Sequence, residues 1–547
     1  MAAGPFYSQV QVIACQKTHH QSCICNFARS WLRYELIRRS QENSFGQVVM
    51  SKVGKTHQTT ILRPQNSAYL LTALCGIHFL IWSFLPLSYM HNLHSDTTEL
   101  IYWGHALSWG YPKHPPLAAW ILEALLAPGD NALIILFLFS QLCVTVTAVY
   151  LWLTLRLLDH SRSHYLGIIF FLAAPTAGLF ALQINHNSIL QPFWIAFTYH
   201  SLRYLKQGRA RDALLMFVIG ALGFLVKYQI VLLFLTILTL ALAVQSYRSI
   251  FLRPITYMGL LLFVLIISPH LLWLVTSDNS AVDYALNARR AAGLFELLAS
   301  GHDLVIGFLT VCTGAIMVGA LMRLAGFRPV ITRPSFEVMA LACGPILFLV
   351  IGALLTAQDI RQGWMLPFTT TILIGVTMTI QIKTEALSAR SFVLMVLGFA
   401  VLNNALLFGF MEIKAVMGKP IEAFDFDARP IAQRVEALWR ERSTQPLRCL
   451  VIDSRRSSHV VLWLASRPMI INVGDPYWSR PQQIEDCLAN GGVAILHENT
   501  EKENLDRFCL KKEIETSATS GINKRASFPQ LDLFDVSLPK DGADCLK

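Results

Sequence analysis

Residues 67–90, SAYLLTALCGIHFLIWSFLPLSYM, run directly into residues 91–99, HNLHSDTTE, and the nature of that junction decides the fold. The first stretch is long enough to cross a bilayer as a helix, which takes about 20 apolar residues. The second sets His91, His94, Asp96 and Glu99 at the end of that span. Ionisable side chains are expensive beside hydrocarbon, so their concentration here marks a functional site.

Working outward, apolar runs recur at 132–157, 164–183, 188–205, 212–226, 229–247, 254–276, 303–323, 336–357, 364–382 and 391–411. With the first, they predict a polytopic α-helical membrane protein of about eleven transmembrane helices. The 212–226 run is short and leads almost directly into the next. Composition agrees: of 547 residues, 54% are hydrophobic and only 15% charged, and the mean hydropathy is +0.46, too apolar for a soluble chain.

The net charge of +10 does not point to nucleic acid, because the basic residues lie in short loops between apolar runs and form no aromatic-interleaved groove. With the amino terminus inside, Arg156, Arg162, Arg203, Lys206, Arg209, Arg211, Arg248, Arg253, Arg323, Arg328, Arg333, Lys383 and Arg390 fall on the cytoplasmic side. Only Lys113, Lys227, Arg289, Arg290 and Arg361 fall opposite, on the same face as Asp96, Glu99 and His114. Cations that break the positive-inside pattern suit an anionic ligand, such as a lipid-linked phosphate at the outer interface.

Residues 1–66 are polar, lack a cleavable signal pattern and read as a cytoplasmic, disordered extension; Met50 is an alternative start. After residue 411 ordinary charge density returns. Strands are expected at 448–453, 468–473 and 492–496, with a helical segment around Ser457 to Ala465, making residues 412–547 a small extracytoplasmic α/β domain with a loose tail. Of the eleven cysteines, Cys75, Cys143, Cys312 and Cys343 lie in apolar runs and read as small buried hydrophobes. Cys15, Cys23 and Cys25 match no standard zinc spacing. Cys449, Cys487, Cys509 and Cys545 are placed to form disulfides if the tail lies outside the cytoplasm.

Asp96 and Glu99, three residues apart, share one side of a short helix. A carboxylate so placed can take the proton of an acceptor hydroxyl as it attacks a sugar anomeric carbon, while cations meet the charge on a departing phosphate. Asp96 is the expected general base and Glu99 its support. His94 and Asp96 are weak candidates for a divalent metal, since no second cluster completes the shell. In Tyr111-Pro112-Lys113-His114-Pro115-Pro116-Leu117 the prolines interrupt the helix and hold Lys113 and His114 in a fixed turn, a good phosphate contact.

These residues, with Gln183-Ile184-Asn185-His186-Asn187-Ser188-Ile189-Leu190, Gly223-Phe224-Leu225-Val226-Lys227-Tyr228 and Ser268-Pro269-His270-Leu271-Leu272-Trp273, resemble the bacterial branch of the GT-C glycosyltransferases. That branch, family 39 and its relatives, includes dolichyl-phosphate-mannose protein mannosyltransferase-like proteins, lipid A aminoarabinose transferases and lipopolysaccharide galacturonosyl transferases. The resemblance covers residues 67–410. It implies that Asp96 is catalytic on a polyprenyl-phosphate sugar donor and that the His114 region contacts the donor phosphate. Where many relatives carry a second acid, this chain has Asn185-His186-Asn187, which weakens metal binding by paired carboxylates.

The expectation is therefore a GT-C type glycosyltransferase of the bacterial inner membrane with its active site facing the periplasm. Asp96 and Glu99 would be catalytic, and Lys113, His114, Asn187, Lys227, Arg289 and Arg361 would bind substrate. The acceptor would be a glycolipid, a glycan or a protein. Trp273 and Trp364 offer stacking platforms for a sugar, and the loop holding Asp278, Asp283 and Tyr284 is placed as a lid. The competing expectations are a lipid or oligosaccharide transporter, although no internal repeat supports one, and a non-catalytic assembly subunit.

Overall fold

The computed structural model describes residues 64–126, 131–158, 163–277, 281, 284, 301–381, 389–417, 427–441, 443–453, 457–473, 492–497, 509–517 and 531–537. A helix lies over every expected apolar run. Among the described residues, six helices are long and apolar enough to cross a membrane: Tyr69–Ser88, Ala132–Leu158, Pro254–Thr276, Gly301–Leu324, Phe336–Thr356 and Arg390–Lys414. A seventh is added if Tyr228–Ala243 and Gln245–Leu252, bent by 109°, count together.

The remaining runs fall short of that test for visible reasons. The helix Ala210–Val226 has 17 residues. The 164–183 run breaks at residues 174–178 into Ser163–Ala173 and a single turn at Leu179–Leu182, and the 364–382 run begins as a 3-10 segment, Gln362–Phe368, before Thr369–Thr379. The helix His186–Gln207 has 22 residues but carries His186, Asn187, Gln191, His200, Arg203 and Lys206, so its polarity, not its length, sets it apart. Most of its residues are buried among other helices, where polar groups find protein partners. His200 and Arg203, for example, both meet the buried Asp212 of the next helix, at 2.8 and 3.3 Å.

Between the first two spans, the chain folds into two short helices, Ser95–His105 and Leu117–Leu126. They pack closely because Gly104 lacks a side chain: a Cβ there would lie 2.5 Å from the Ala119 carbonyl oxygen. The Pro115-Pro116 pair ends the intervening loop, and Leu117 restarts the helix where a preceding proline is tolerated.

Beyond the last span, the helix Arg429–Arg440 leads into a five-stranded sheet ordered Met469–Asn472, Cys449–Ile452, Gly492–His497, Leu531–Ser537, Cys509–Ser517. The first three strands are parallel and the last two antiparallel. Strands lie at the three places expected from sequence, and the segment expected to be helical is a 3-10 turn, Ser457–Trp463. Within the stretch expected as a loose tail, Leu531–Ser537 pairs with Gly492–His497. Its Leu-Asp-Leu-Phe-Asp-Val-Ser sequence is too short and too acidic to stand out, and pairing with a buried strand fixes it.

This region rests on the segment between the first two spans. Trp463 donates from Nε1 to Asn92 Oδ1 at 3.1 Å, Ser458 and Thr98 share a hydroxyl hydrogen bond at 2.8 Å, and Arg467 pairs with Glu123 at 2.5 Å. Cys449 is disulfide-bonded. Cys75, Cys143, Cys312 and Cys343 are free thiols; Cys343 is exposed, unlike the buried hydrophobe expected, because it lies on the outward side of Phe336–Thr356, where a spanning helix meets lipid. Residues 1–63, which hold Cys15, Cys23 and Cys25, lie outside the described residues, as do Cys487 and Cys545.

Candidate functional site

Asp96 sits in the first turn of Ser95–His105, where the unpaired N–H groups favour a carboxylate. His94 caps that helix, its Nδ1 accepting from the Asp96 amide at 3.2 Å. The Asp96 side chain remains 40% exposed. Asn185 Nδ2 donates to Asp96 Oδ2 at 3.3 Å.

Asn185 does two jobs. Its Oδ1 accepts from the amides of Asn187 and Ser188, at 2.9 and 3.2 Å, and so caps His186–Gln207. With Asn185 as the cap, the Asn187 side chain is left to accept from Lys227 Nζ. Lys227 lies just past the end of Ala210–Val226, with its ammonium 6.0 Å from the Trp364 ring centre. Burial pulls that ammonium down to about 7, while the charge of Asp96 acts in the opposite direction.

Glu99, one turn after Asp96, faces Lys113 instead of Asp96. The Lys113 ammonium donates to Glu99 Oε1 at 2.6 Å, with both side chains nearly buried. A buried pair of this kind holds its geometry because stripping one partner strands a charge. Tyr284 lies beside it, its ring centre 6.0 Å from Lys113 Nζ, so this residue of the expected lid does reach the site.

Next to Lys113, His114 meets His186 with ring centres 3.9 Å apart. Trp103 lies 6.3 Å from the first and 6.2 Å from the second. Burial holds the His114 imidazole well below its ordinary range, reinforced by His186, Lys227 and Lys113. Burial does the same to His186, helped by Lys227 and Lys113. Both rings are therefore neutral at neutral pH.

The turn holding Lys113 and His114 is built by close approach. The Tyr111 amide donates to the His114 carbonyl at 3.1 Å, and Tyr111 stacks on Trp103 at 5.3 Å and 5°. Trp273 lies over Gly110, where a Cβ would come within 2.3 Å of its ring. His270 bonds the Trp109 carbonyl at 2.7 Å and the Tyr228 hydroxyl at 2.8 Å. The sequence blocks at 110–117, 223–228 and 268–273 are thus joined in space, with Trp273 used as a packing wall.

Arg361 pairs with Asp359 at 3.0 Å and stays half exposed. The same loop approaches the site through Gly363, close to the Asn187 amide, and through Trp364, whose carbonyl accepts from Gln229 at 2.6 Å. Arg289, Arg290, Asp278 and Asp283 lie outside the described residues.

Two residues important to this arrangement, Asn185 and His186, carried signals in the sequence: an Asn just before an apolar run is a cap signal, and a histidine follows it. Their pairing with Asp96 and His114 carried none, because those residues are about 70 to 90 residues earlier in the chain.

The donors present do not fit a divalent metal. His94 Nδ1 is occupied by a backbone amide, an amide nitrogen faces Asp96, and no group of three or more His, Cys, Asp or Glu is suitably gathered among the described residues.

Residues 113–273 match the family model for dolichyl-phosphate-mannose-protein mannosyltransferase. No curated protein matches the chain by sequence. Among solved structures, it is similar to ArnT from Cupriavidus metallidurans bound to undecaprenyl phosphate, with a TM-score of 0.53 and 12% identity over 86% of this chain and 98% of that one. It is also similar to apo ArnT from the same organism, with a TM-score of 0.52 and 13% identity over 86% and 97%. The chain thus shares the fold of these two ArnT structures, and among the described residues its long apolar helices are those of a polytopic membrane protein.

Proposed function

We propose that the protein is an integral membrane glycosyltransferase that moves a sugar from a polyprenyl-phosphate carrier to a glycolipid, polysaccharide or protein. The reaction takes place at the outer face of the bacterial inner membrane. One observation carries this reading: a part-exposed carboxylate, Asp96, is steadied by Asn185 beside a buried cluster of Lys113, His114, His186 and Lys227. An acid next to phosphate-binding groups is what displacement at a phosphorylated anomeric carbon requires. The similarity to a structure holding undecaprenyl phosphate supports the same carrier class here.

Asp96 takes the acceptor hydroxyl proton as that oxygen attacks the anomeric carbon. The bond from that carbon to the phosphate oxygen breaks, its electron pair stays on the phosphate, and the sugar is transferred with inversion. Lys113 and Lys227 hold the phosphate, with Arg361 at the rim. Glu99 keeps Lys113 in place.

The purified full chain carrying Asp96→Asn should bind undecaprenyl phosphate normally but transfer sugar about 10²- to 10⁴-fold more slowly, the usual contribution of a positioned base. Undiminished transfer by this variant would exclude Asp96 as the base. Comparing the masses of lipopolysaccharide and surface glycans in cells with and without the protein identifies sugar and acceptor. If cells lacking the protein lose no sugar but accumulate carrier on one leaflet, the protein is a transporter instead.

A further inference from the structure

Glycosyl transfer from a carrier phosphate changes the charge in this site. The donor is a phosphodiester with one negative charge. The carrier left behind is a phosphate monoester, which carries close to two above its second pKa of about 6. Desolvated charge must be matched, so the second charge needs a positive partner.

Among the described residues, the lysines cannot supply it unaided. Lys113 is matched by Glu99 at 2.6 Å, and Lys227 lies within the field of Asp96. Arg361 is matched by Asp359. The other titratable groups here are His114 and His186, whose ring centres lie 3.9 Å apart. Around them stand Lys113 and Lys227, with Trp103 and Tyr284 as ring neighbours. His186 is 5% exposed, and among the described residues its Nε2 has no hydrogen-bond partner.

We propose that the His114–His186 pair takes up one proton from solvent as the carrier phosphate gains its second charge, and holds it against that phosphate until the carrier leaves. This rests on the glycosyl-transfer reading above. The proton balance is simple: the acceptor's proton goes to Asp96, the electron pair of the broken bond goes to the phosphate, and a solvent proton goes to one imidazole. The pair is neutral in the free protein, because burial and two neighbouring lysines oppose its charging. A dianion between those lysines reverses that balance. Phosphate release is then coupled to loss of the proton.

Calorimetry of the full chain in detergent at pH 8, in buffers of different ionisation enthalpy, counts the protons bound with each ligand. The probes are undecaprenyl phosphate and its methyl phosphodiester. A proton taken by Lys227 instead would persist in a variant lacking both imidazoles. The monoester should take up about one proton more than the diester, making its relative affinity fall about tenfold per pH unit in this range. In the His114→Gln, His186→Gln double variant the difference in proton uptake should vanish, whatever the change in affinity for either ligand. Equal proton uptake with both ligands in the wild type overturns the proposal, as does an undiminished difference in the double variant. Failure of the wild type to bind either ligand removes the carrier-phosphate reading itself, and this proposal with it.

Discussion

Lys227 shows how one residue can set opposite pH trends. Its ammonium, pulled down to about 7, is charged below that pH and increasingly neutral above it. Affinity for a phosphodiester donor should therefore weaken above about pH 7, by up to about tenfold per unit until the pKa of the bound form is reached. Lys227→Arg, charged throughout, should flatten this limb in a plot of donor KM against pH. Stability runs the other way. A depressed lysine pKa means that the unfolded chain binds more protons between about 7 and the ordinary lysine value of about 10.4, so stability falls as pH drops through that window. The sequence placed Lys227 on the outer face through its breach of charge asymmetry. It could not reveal the burial that moves its pKa, because Asn187 and Trp364 are brought in by other segments.

At the scale of elements, the helix carrying Asp96 and Glu99 is held from above by the turn Ser457–Trp463. Thr98 already donates its hydroxyl to the Ser95 carbonyl at 2.8 Å, so Ser458 is the donor in the hydrogen bond between Ser458 and Thr98. Thr98→Val removes that acceptor and should lower stability by about 1 kcal/mol, read in thermal unfolding. Combining it with Ser458→Ala should add little, and simple additivity would show that the two hydroxyls are not coupled. The helix carrying the two acids was legible in the spacing of Asp96 and Glu99 and in the prolines after it. Its clamp was not, since Thr98 and Ser458 are ordinary hydroxyl residues separated by 360 positions. Similarly, the spacing implied that both acids serve one purpose, whereas Lys113 draws Glu99 aside.

For the whole molecule, apolar runs foretold where the helices lie, but not which of them cross the membrane unaided. His186–Gln207 is polar by composition and buried by its neighbours, a distinction that run length cannot convey. The proposed orientation can be checked through Cys449. Its disulfide needs an oxidising compartment, in keeping with a periplasmic location for the terminal sheet. Alkaline phosphatase fused after the last residue should be active, and green fluorescent protein exported in unfolded form to the same point should be dark. The reverse pair of results would invert the topology. Cys449→Ser should lower stability by the roughly 2–5 kcal/mol typical of a native bridge in a small domain, read as a fall in the unfolding temperature.

The hydrogen bond from Asn185 to Asp96 puts this chain a single atom exchange away from a different chemistry. Asn185→Asp would replace the donating nitrogen with an oxygen 3.3 Å from the Asp96 carboxylate, giving two anions in contact. Such a couple must share a proton or enlist a hard cation. The variant should lose activity in chelator and regain it when magnesium or calcium is added, while the parent protein stays indifferent to both. An amide at this position would then be what spares the enzyme from dependence on the ionic supply outside the cell.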